Sequence, residues 1–249
     1  GAPRTVNFRS VLNTNFDLNR TGCQWRMIPR DRGTPWQTVY EYFGKWKTNG
    51  TWERINAALV AEVRIAEGRP DPTPSAACID RQSVEGTEAT GNPGYDGGKK
   101  VKGRKRHIRT DTLGLLLVVV VTAASLDGAA AYSVVGMLFA DRKYHNHAFE
   151  AWLAAERPGV RLEVQSKPVG AIGFKPLRKR WVVERTFAWI GRCRRSSKDY
   201  ERTESSSAAM VQLSRIRLML RRLHHSTKPT TDEPRPTLPS VTDEVGVDS

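Results

Sequence analysis

Apolar residues recur at helical spacing through the first part of the chain. After Asn7, a good helix-capping residue, Phe8, Val11, Leu12 and Phe16 lie on one face of a predicted helix that ends near Gly22. Similar spacing predicts two more helices, bounded by start and turn signals at Thr34-Pro35, Asn49-Gly50, Thr51 and Gly68. Residues 1–68 therefore predict a small all-α module that resembles a helix-turn-helix. A plain helical bundle, with its tryptophans only in the core, fits the pattern equally well.

The pattern changes after a proline-rich segment, residues 69–77, which we interpret as a linker. Apolar runs and alternation then predict strands at 78–80, 102–110, 115–124, 137–141 and 160–165. Helical spacing predicts helices at 127–136, 147–156, 179–192 and 207–223. This order predicts an α/β domain over residues 78–223. Residues 224–249 have four prolines and few core formers, so they predict a disordered acidic tail.

Composition narrows the classes of protein. The 249 residues have a net charge of +14 and a pI near 10.1, which favours a polyanion such as nucleic acid as partner. The longest apolar run, Leu115 to Ala124, is too short to cross a membrane, and the polar start does not resemble a signal peptide. Cys23, Cys78 and Cys193 are widely spaced, so neither disulfides nor a zinc site is expected, and a reducing cytosol fits best.

Two stretches are densely basic. Residues 99–109 have no acidic residue, and on a strand Lys100, Lys102, Arg104 and Arg106 would form one row that neutralises DNA phosphates. A solvated edge strand protected by lysines is the alternative. Residues 175–198 form the second stretch. The candidate DNA-binding residues are Lys99, Lys100, Lys102, Arg104, Lys105, Arg106, Arg185, Arg192, Arg194, Arg195 and Lys198.

Three acidic residues form a candidate metal site. Asp80 and Asp141 end predicted strands, and Glu184 lies in the basic 179–192 helix. Two-metal phosphoryl transfer uses ions about 3.5–4 Å apart, and Mg²⁺ prefers carboxylate ligands. A structural role remains open for each residue, since acids often cap strand ends and Glu184 has Arg180 one turn before it for an ion pair.

Several long motifs give the chain a recognisable family. They are CIDRQSV at 78–84, GYDGGKKVKGRKRHI at 94–108, DTLGLLL at 111–117, ADRKYHN at 140–146, VVERTFAWIGR at 182–192 and SKDYE at 197–201. With RTGCQWRMIP at 20–29, PWQTVY at 35–40 and GTWER at 50–54, they resemble the bacterial insertion-sequence transposases of the DDE class from about residue 3 to 223.

The resemblance implies a ribonuclease H-like mixed sheet flanked by helices and preceded by a helical module. It implies that Asp80, Asp141 and Glu184 are the catalytic acids and bind Mg²⁺, with Mn²⁺ able to substitute, and that Arg180 is the signature arginine, which stabilises phosphate charge. The implied activity is cutting at terminal inverted repeats and strand transfer into target DNA. The implied setting is a homodimer on double-stranded DNA in the bacterial cytoplasm, associated with the nucleoid.

The chain also departs from the family pattern. Leu177 stands at the signature tyrosine and Gly191 at the signature lysine, beside Arg192, while Asp17 and Asn19 stand where relatives are apolar. The segment between Leu126 and Asp141, residues 127–140, is also shorter than the corresponding segment in relatives. These departures keep open a catalytically decayed element product that only binds DNA. A general nuclease of similar fold is a third alternative, disfavoured by the family-like N-terminal module.

Overall fold

A computed structural model describes residues 6–125, 137–141, 147–156, 159–165 and 180–226. The N-terminal part has helices α1 (Phe8–Thr21), α2 (Trp36–Thr48) and α3 (Thr51–Ala66). Strands β1 (Ala76–Glu85), β2 (Gly94–Asp96), β3 (Val101–Asp111) and β4 (Leu116–Ala123) follow. The last elements are β5 (Met137–Asp141), α4 (His147–Glu156), β6 (Arg161–Gln165), α5 (Arg180–Gly191) and α6 (Glu204–Ser226).

The start of α1 confirms the sequence-based prediction. The Asn7 side chain accepts hydrogen bonds from the backbone N–H groups of Arg9 and Ser10, and Gly22 ends the helix at φ +74°. Gly22 also packs closely, because a Cβ there would lie 2.9 Å from the Cβ of Arg194. The two polar residues that departed from the family pattern are accommodated: Asp17 pairs with Arg32 at 2.7 Å on the surface, and buried Asn19 hydrogen-bonds to α6.

The strands form one mixed sheet. The order of strands across the sheet is β2-β3-β1-β5-β6, and β4 also pairs with β3. Pairings around β3 are antiparallel, whereas β1, β5 and β6 are parallel. Apolar side chains of α5 and α6 pack with Cys78 and Phe139 on one face, and Ile79 and Leu138 belong to a cluster on the other. This sheet with its helices is the ribonuclease H-like arrangement that the resemblance implies.

The N-terminal helices are packed against the sheet domain. Phe16, Val39, Trp52 and Leu59 share one hydrophobic core with Leu213 and other residues of α6. A buried ion pair of 2.7 Å joins Arg64 of α3 to Asp111 at the end of β3. The predicted division into a helical module, a linker, a catalytic domain and a tail stays a prediction, but the first and third parts share a core.

Some predicted boundaries were wrong. β1 continues to Glu85 instead of ending at Asp80, because residues 77–85 pair without interruption with β3. α6 continues to Ser226, beyond the predicted start of the tail at residue 224. The predicted 127–136 helix and tail residues 227–249 lie outside the described residues.

Candidate active site and nucleic-acid interface

The backbone brings two of the three candidate acids to the same level of the sheet. β1 and β5 are parallel neighbours, with Cys78 opposite Phe139. Continuing this register by two residues sets Asp141, the last residue of β5, level with Asp80. Adjacent paired strands lie about 4.8 Å apart, so the two backbone positions would be neighbours if this register continued beyond the last paired residues, Cys78 and Phe139. The side chain of Asp141 is outside the described part of the structure.

Alternation along β1 defines the face on which Asp80 lies. Cys78 packs in the cluster that contains α5 residues, and Ile79 packs in the cluster on the opposite face. Because successive strand residues point to opposite faces, Asp80 lies on the α5 face. Its carboxylate is half-buried, and Oδ1 accepts a hydrogen bond of 2.8 Å from the backbone N–H of Arg81.

Glu184 is positioned by the packing of α5. Val183, Phe187 and Ile190 are buried against the sheet in the cluster that includes Cys78 and Phe139. Glu184 follows Val183 directly and is exposed. α5 therefore lies over β1 and β5 with the third acid at the margin of its buried face. Arg180 begins α5 one turn earlier, and its side chain is outside the described residues.

The donor types fit a hard divalent cation. Three carboxylates from β1, β5 and α5 would supply the oxygen ligands that Mg²⁺ prefers. Among the side chains that the structure describes, no group of three His, Cys, Asp or Glu residues is placed to hold a metal ion. That set omits the side chain of Asp141. The packing of α5 on the sheet is compatible with a site formed by the three acids, and both their convergence and metal binding stay predictions.

Only two residues of the predicted basic row, Lys100 and Lys102, lie on the surface. Lys100 is in the turn before the strand, at φ +56°, and Lys102 is exposed. Arg104 and Arg106 are only 1% and 2% exposed. The physical reason is that β3 lies inside the sheet and residues 193–203 cover it.

The covering segment binds both guanidinium groups. Arg104 pairs with buried Asp199 at 3.4 Å and donates to the backbone carbonyl of Glu201 at 2.9 Å. Arg106 donates to the backbone carbonyl of Ser196 at 2.7 Å. Burial lowers the pKa of Arg106 to about 10, although Asp199 and Glu201 oppose the shift. Arg104 and Arg106 therefore connect two parts of the chain and are not exposed to DNA in this structure.

Some of the remaining predicted DNA-binding residues are buried and others are exposed to solvent. Lys105 is buried near Asp96 at 3.7 Å, and Arg195 is buried and paired with Glu201 at 2.7 Å. Arg185 is partly buried between two tryptophan rings. The exposed members are Lys99, Lys100, Lys102, Arg192, Arg194 and Lys198.

One groove contains several of the exposed lysines. Tyr95, Lys100, Lys102 and Lys198 line a cavity of about 850 Å³ beside the β2–β3 turn. Tyr95 is 58% exposed. A hydrogen bond from Lys198 to Glu85 raises the pKa of the lysine. Glu85 and Glu88 line the same groove, so Lys100 and Lys102, beside the exposed ring of Tyr95, are the members best suited to a nucleic-acid backbone and its bases.

Sequence reasoning missed two features. The SKDYE motif supplies Asp199 and Glu201 to the buried network under β3, and their separation of about 95 residues from Arg104 hid the pairing. The second feature is an aromatic clamp on α5, in which the Arg185 guanidinium lies 4.2 Å from the Trp181 ring and 4.6 Å from the Trp189 ring. The spacing of Trp181, Arg185 and Trp189 by four residues was the available signal.

Comparison with protein families shows which family the chain belongs to. A family model of the transposase DDE domain matches residues 71–219, more than half of the chain. The chain belongs to the DDE transposase family. A second model, describing transposases of the IS4/5 family, matches residues 1–56. None of the curated proteins matches this DDE transposase.

Family membership establishes the general chemistry. The protein is a DNA transposase of the insertion-sequence type, with the domain of a polynucleotidyl transferase. DDE transposases typically use a divalent metal, and the family implies DNA as the partner. No described helix has the length and hydropathy to cross a membrane.

Proposed function

We propose that this DDE transposase cuts DNA at the terminal inverted repeats of its element and transfers the strands into target DNA. Asp80, Asp141 and Glu184 are the proposed catalytic acids. The observation that supports this assignment best is the β1–β5 register, whose continuation by two residues would set Asp141 level with Asp80 on the face where α5 packs. The proposal also includes Mg²⁺, with Mn²⁺ as a substitute, and a homodimer that pairs the two element ends.

The three carboxylates would hold the metal ions. When bound, divalent ions activate the attacking water or 3′-hydroxyl and neutralise charge on the leaving oxygen. Asp80 enters this site already oriented by the N–H group of Arg81. Glu184 would approach from α5, which packs against β1 and β5 in one hydrophobic cluster.

The basic residues would hold the DNA backbone around this site. Arg180, at the start of α5 and one turn before Glu184, is the proposed residue for stabilising phosphate charge. Lys99, Lys100, Lys102 and Lys198, with exposed Tyr95, form a proposed contact surface. Glu85, at the end of β1, lines the same groove as Lys102. Asp80 lies five residues earlier on β1, which is about 17 Å along the strand from Glu85. This surface would therefore contact DNA away from the cut bond.

A cleavage assay tests the proposal. The substrate is duplex DNA with the inverted repeats that flank the coding sequence, incubated with Mg²⁺ or Mn²⁺. Wild-type protein should cut at the repeat boundary, and Asp80→Asn, Asp141→Asn and Glu184→Gln should each abolish cutting while retaining DNA binding. Specific binding by wild-type protein without any cutting would instead support the decayed, DNA-binding alternative. A variant with near-normal cutting would remove its residue from the site.

A further inference from the structure

A second, separate cationic cavity lies where α1, α5 and α6 meet. Its volume is about 280 Å³. Trp189 and Ser214 line it, together with five arginines, and no acidic residue is among the described lining residues. The arginines are Arg20, Arg192, Arg215, Arg217 and Arg221.

Arg215 is the buried wall of this cavity. It is only 1% exposed, and its Nη2 donates to the backbone carbonyl of Gly114 at 2.6 Å. Its Nε and Nη1 atoms have no hydrogen-bond partner among the described residues. The guanidinium lies 5.3 Å from the Trp189 ring, which also lines the cavity. A buried guanidinium with unsatisfied donors is costly unless a ligand supplies acceptors.

Neighbouring charges increase this cost. Arg222 lies 5.2 Å from the same Trp189 ring, and Arg185 contacts it from α5. Burial, followed by repulsion from Arg222 and Arg185, lowers the pKa of Arg215 to about 9, with Cys193 and Asp111 opposing the shift. The guanidinium stays protonated at neutral pH. The cluster is therefore a concentration of positive charge with little internal compensation.

Hydrogen bonds fix the walls of the cavity before any ligand binds. The Ser214 hydroxyl donates to Oδ1 of Asn19 at 3.0 Å, and the Asn19 amide donates to the carbonyl of Met210 at 3.2 Å. These bonds hold the end of α1, which includes Arg20, against α6. Arg217 and Arg221 are one turn apart on α6, so their side chains lie on one helix face. A preorganised site loses less entropy when it binds a ligand.

We propose that this cavity binds a backbone phosphate of the DNA substrate. Arg20, Arg217 and Arg221 would form charge-assisted hydrogen bonds to the phosphate oxygens, and the unpartnered donors of Arg215 would complete the site. The inference rests on DNA as the substrate. Trp189 lies five residues after Glu184 on α5, about 7.5 Å along the helix. The phosphate bound here is thus distinct from the one at the proposed cut site.

DNA binding at several salt concentrations tests this site. The full chain and the double variant Arg217→Gln/Arg221→Gln are compared on one fluorescent duplex by anisotropy. Loss of one phosphate contact should reduce the magnitude of the slope of log K against log[salt] by about 1. If the two proteins bind DNA equally at 1 M salt, the variant then binds about tenfold more weakly at 0.1 M salt. Both residues lie at the mouth of the cavity, so the variant avoids altering buried Arg215.

Arg9→Gln/Arg30→Gln is the matched control, because it also removes two arginines, both of them exposed and neither lining the cavity. The proposal requires a larger slope change for the double variant than for this control. A wild-type slope in the double variant, with an unchanged melting temperature, would overturn it. Inorganic phosphate is the second probe: if it raises the melting temperature of wild-type protein only, while both proteins keep the same DNA slope, the cavity binds free phosphate and the DNA assignment is wrong.

The two proposals fail separately. The salt titration uses no metal and measures no cutting, so it gives the same result if Asp80, Asp141 and Glu184 are not catalytic. Conversely, loss of the cavity contact leaves the acids unchanged and leaves the cleavage experiment interpretable. Absence of any salt-dependent DNA binding by wild-type protein would refute the substrate on which both proposals depend.

Discussion

The network under β3 and the acid cluster beside α5 show two uses of charge on one sheet. Under β3, Arg104 meets Asp199, and Arg195 meets Glu201, all of them buried. Beside α5 are the half-buried Asp80, the exposed Glu184 and the end of β5 at Asp141, the three proposed catalytic acids. The first cluster pairs opposite charges within the protein. The second would gather three carboxylates, an arrangement that a bound divalent cation would stabilise.

A high density of basic residues in the sequence therefore does not by itself identify a DNA-binding surface. Arg104 and Lys102 are two residues apart on β3, yet the first is buried in ion pairing and the second is exposed. Whether an arginine of β3 is buried or free to contact DNA depends on the acidic residues that pair with it in the fold, and not on its neighbours in the sequence. The predictions below test this division between internal pairing and external binding.

The largest expected effect is on folding. Arg104→Gln leaves Asp199 as a buried, less compensated charge and removes several hydrogen bonds to residues 199–202. Breaking a buried pair on one side costs about 3–5 kcal/mol of unfolding free energy. Urea unfolding should show this loss. The exposed control Lys102→Gln, on the same strand, should stay within about 0.5 kcal/mol of wild type. Equal effects of the two changes would contradict the division.

The second prediction concerns the acids. Glu184→Gln should reduce the cleavage rate by about 100-fold or more, because a metal ligand worth several kcal/mol in the transition state is lost. Its thermal stability should change little, since Glu184 is exposed. Single-turnover cleavage and a melting curve measure the two quantities on one preparation. A strong loss of stability with normal cutting would assign Glu184 to structure instead.

A smaller effect is expected at the β2–β3 turn. Lys100→Gln/Lys102→Gln removes two exposed charges beside Tyr95 and should reduce the salt slope of DNA binding by about 1–2. The loss should be similar on different DNA sequences, because phosphate contacts carry no sequence information. Anisotropy titrations on two unrelated duplexes measure it. An unchanged slope would remove this turn from the interface.

The smallest effect is expected on the surface of α1. Asp17→Asn breaks the pair with Arg32, in which both side chains are more than 40% exposed, at 43% and 48%. Exposed pairs contribute at most about 1 kcal/mol, so the melting temperature should fall by only a few degrees. A large loss would show that the departure of Asp17 from the apolar family pattern has a structural function.

Much of the fold follows from local patterns. The helical spacing at 36–46 and the apolar run at 137–141 correctly predict α2 and β5, because each element buries one face or is buried throughout. The extension of β1 beyond Asp80 was missed. Residues 81–83 are polar and half-buried, so the extension depends on hydrogen bonding to β3, which a local pattern does not reveal.

The site was predictable only in part. Acids at predicted strand ends and in the basic helix, together with the family motifs, single out Asp80, Asp141 and Glu184, and their catalytic role stays a prediction. The burial of Arg104 and Arg106 was not predictable, because a run of basic residues is typical of a surface and their partners lie in residues 196–202. The arginine cavity was not predictable for a similar reason, because its lining residues come from α1, α5 and α6, which are distant in the sequence.

The most direct measurement of the central claim is cleavage of inverted-repeat DNA in Mg²⁺ by wild-type protein and by Asp141→Asn. The account predicts cutting at the repeat boundary by wild type, loss of cutting in the variant, and the same affinity for DNA in both. Cutting by Asp141→Asn at the wild-type rate would contradict the assignment of Asp80, Asp141 and Glu184 as the catalytic acids.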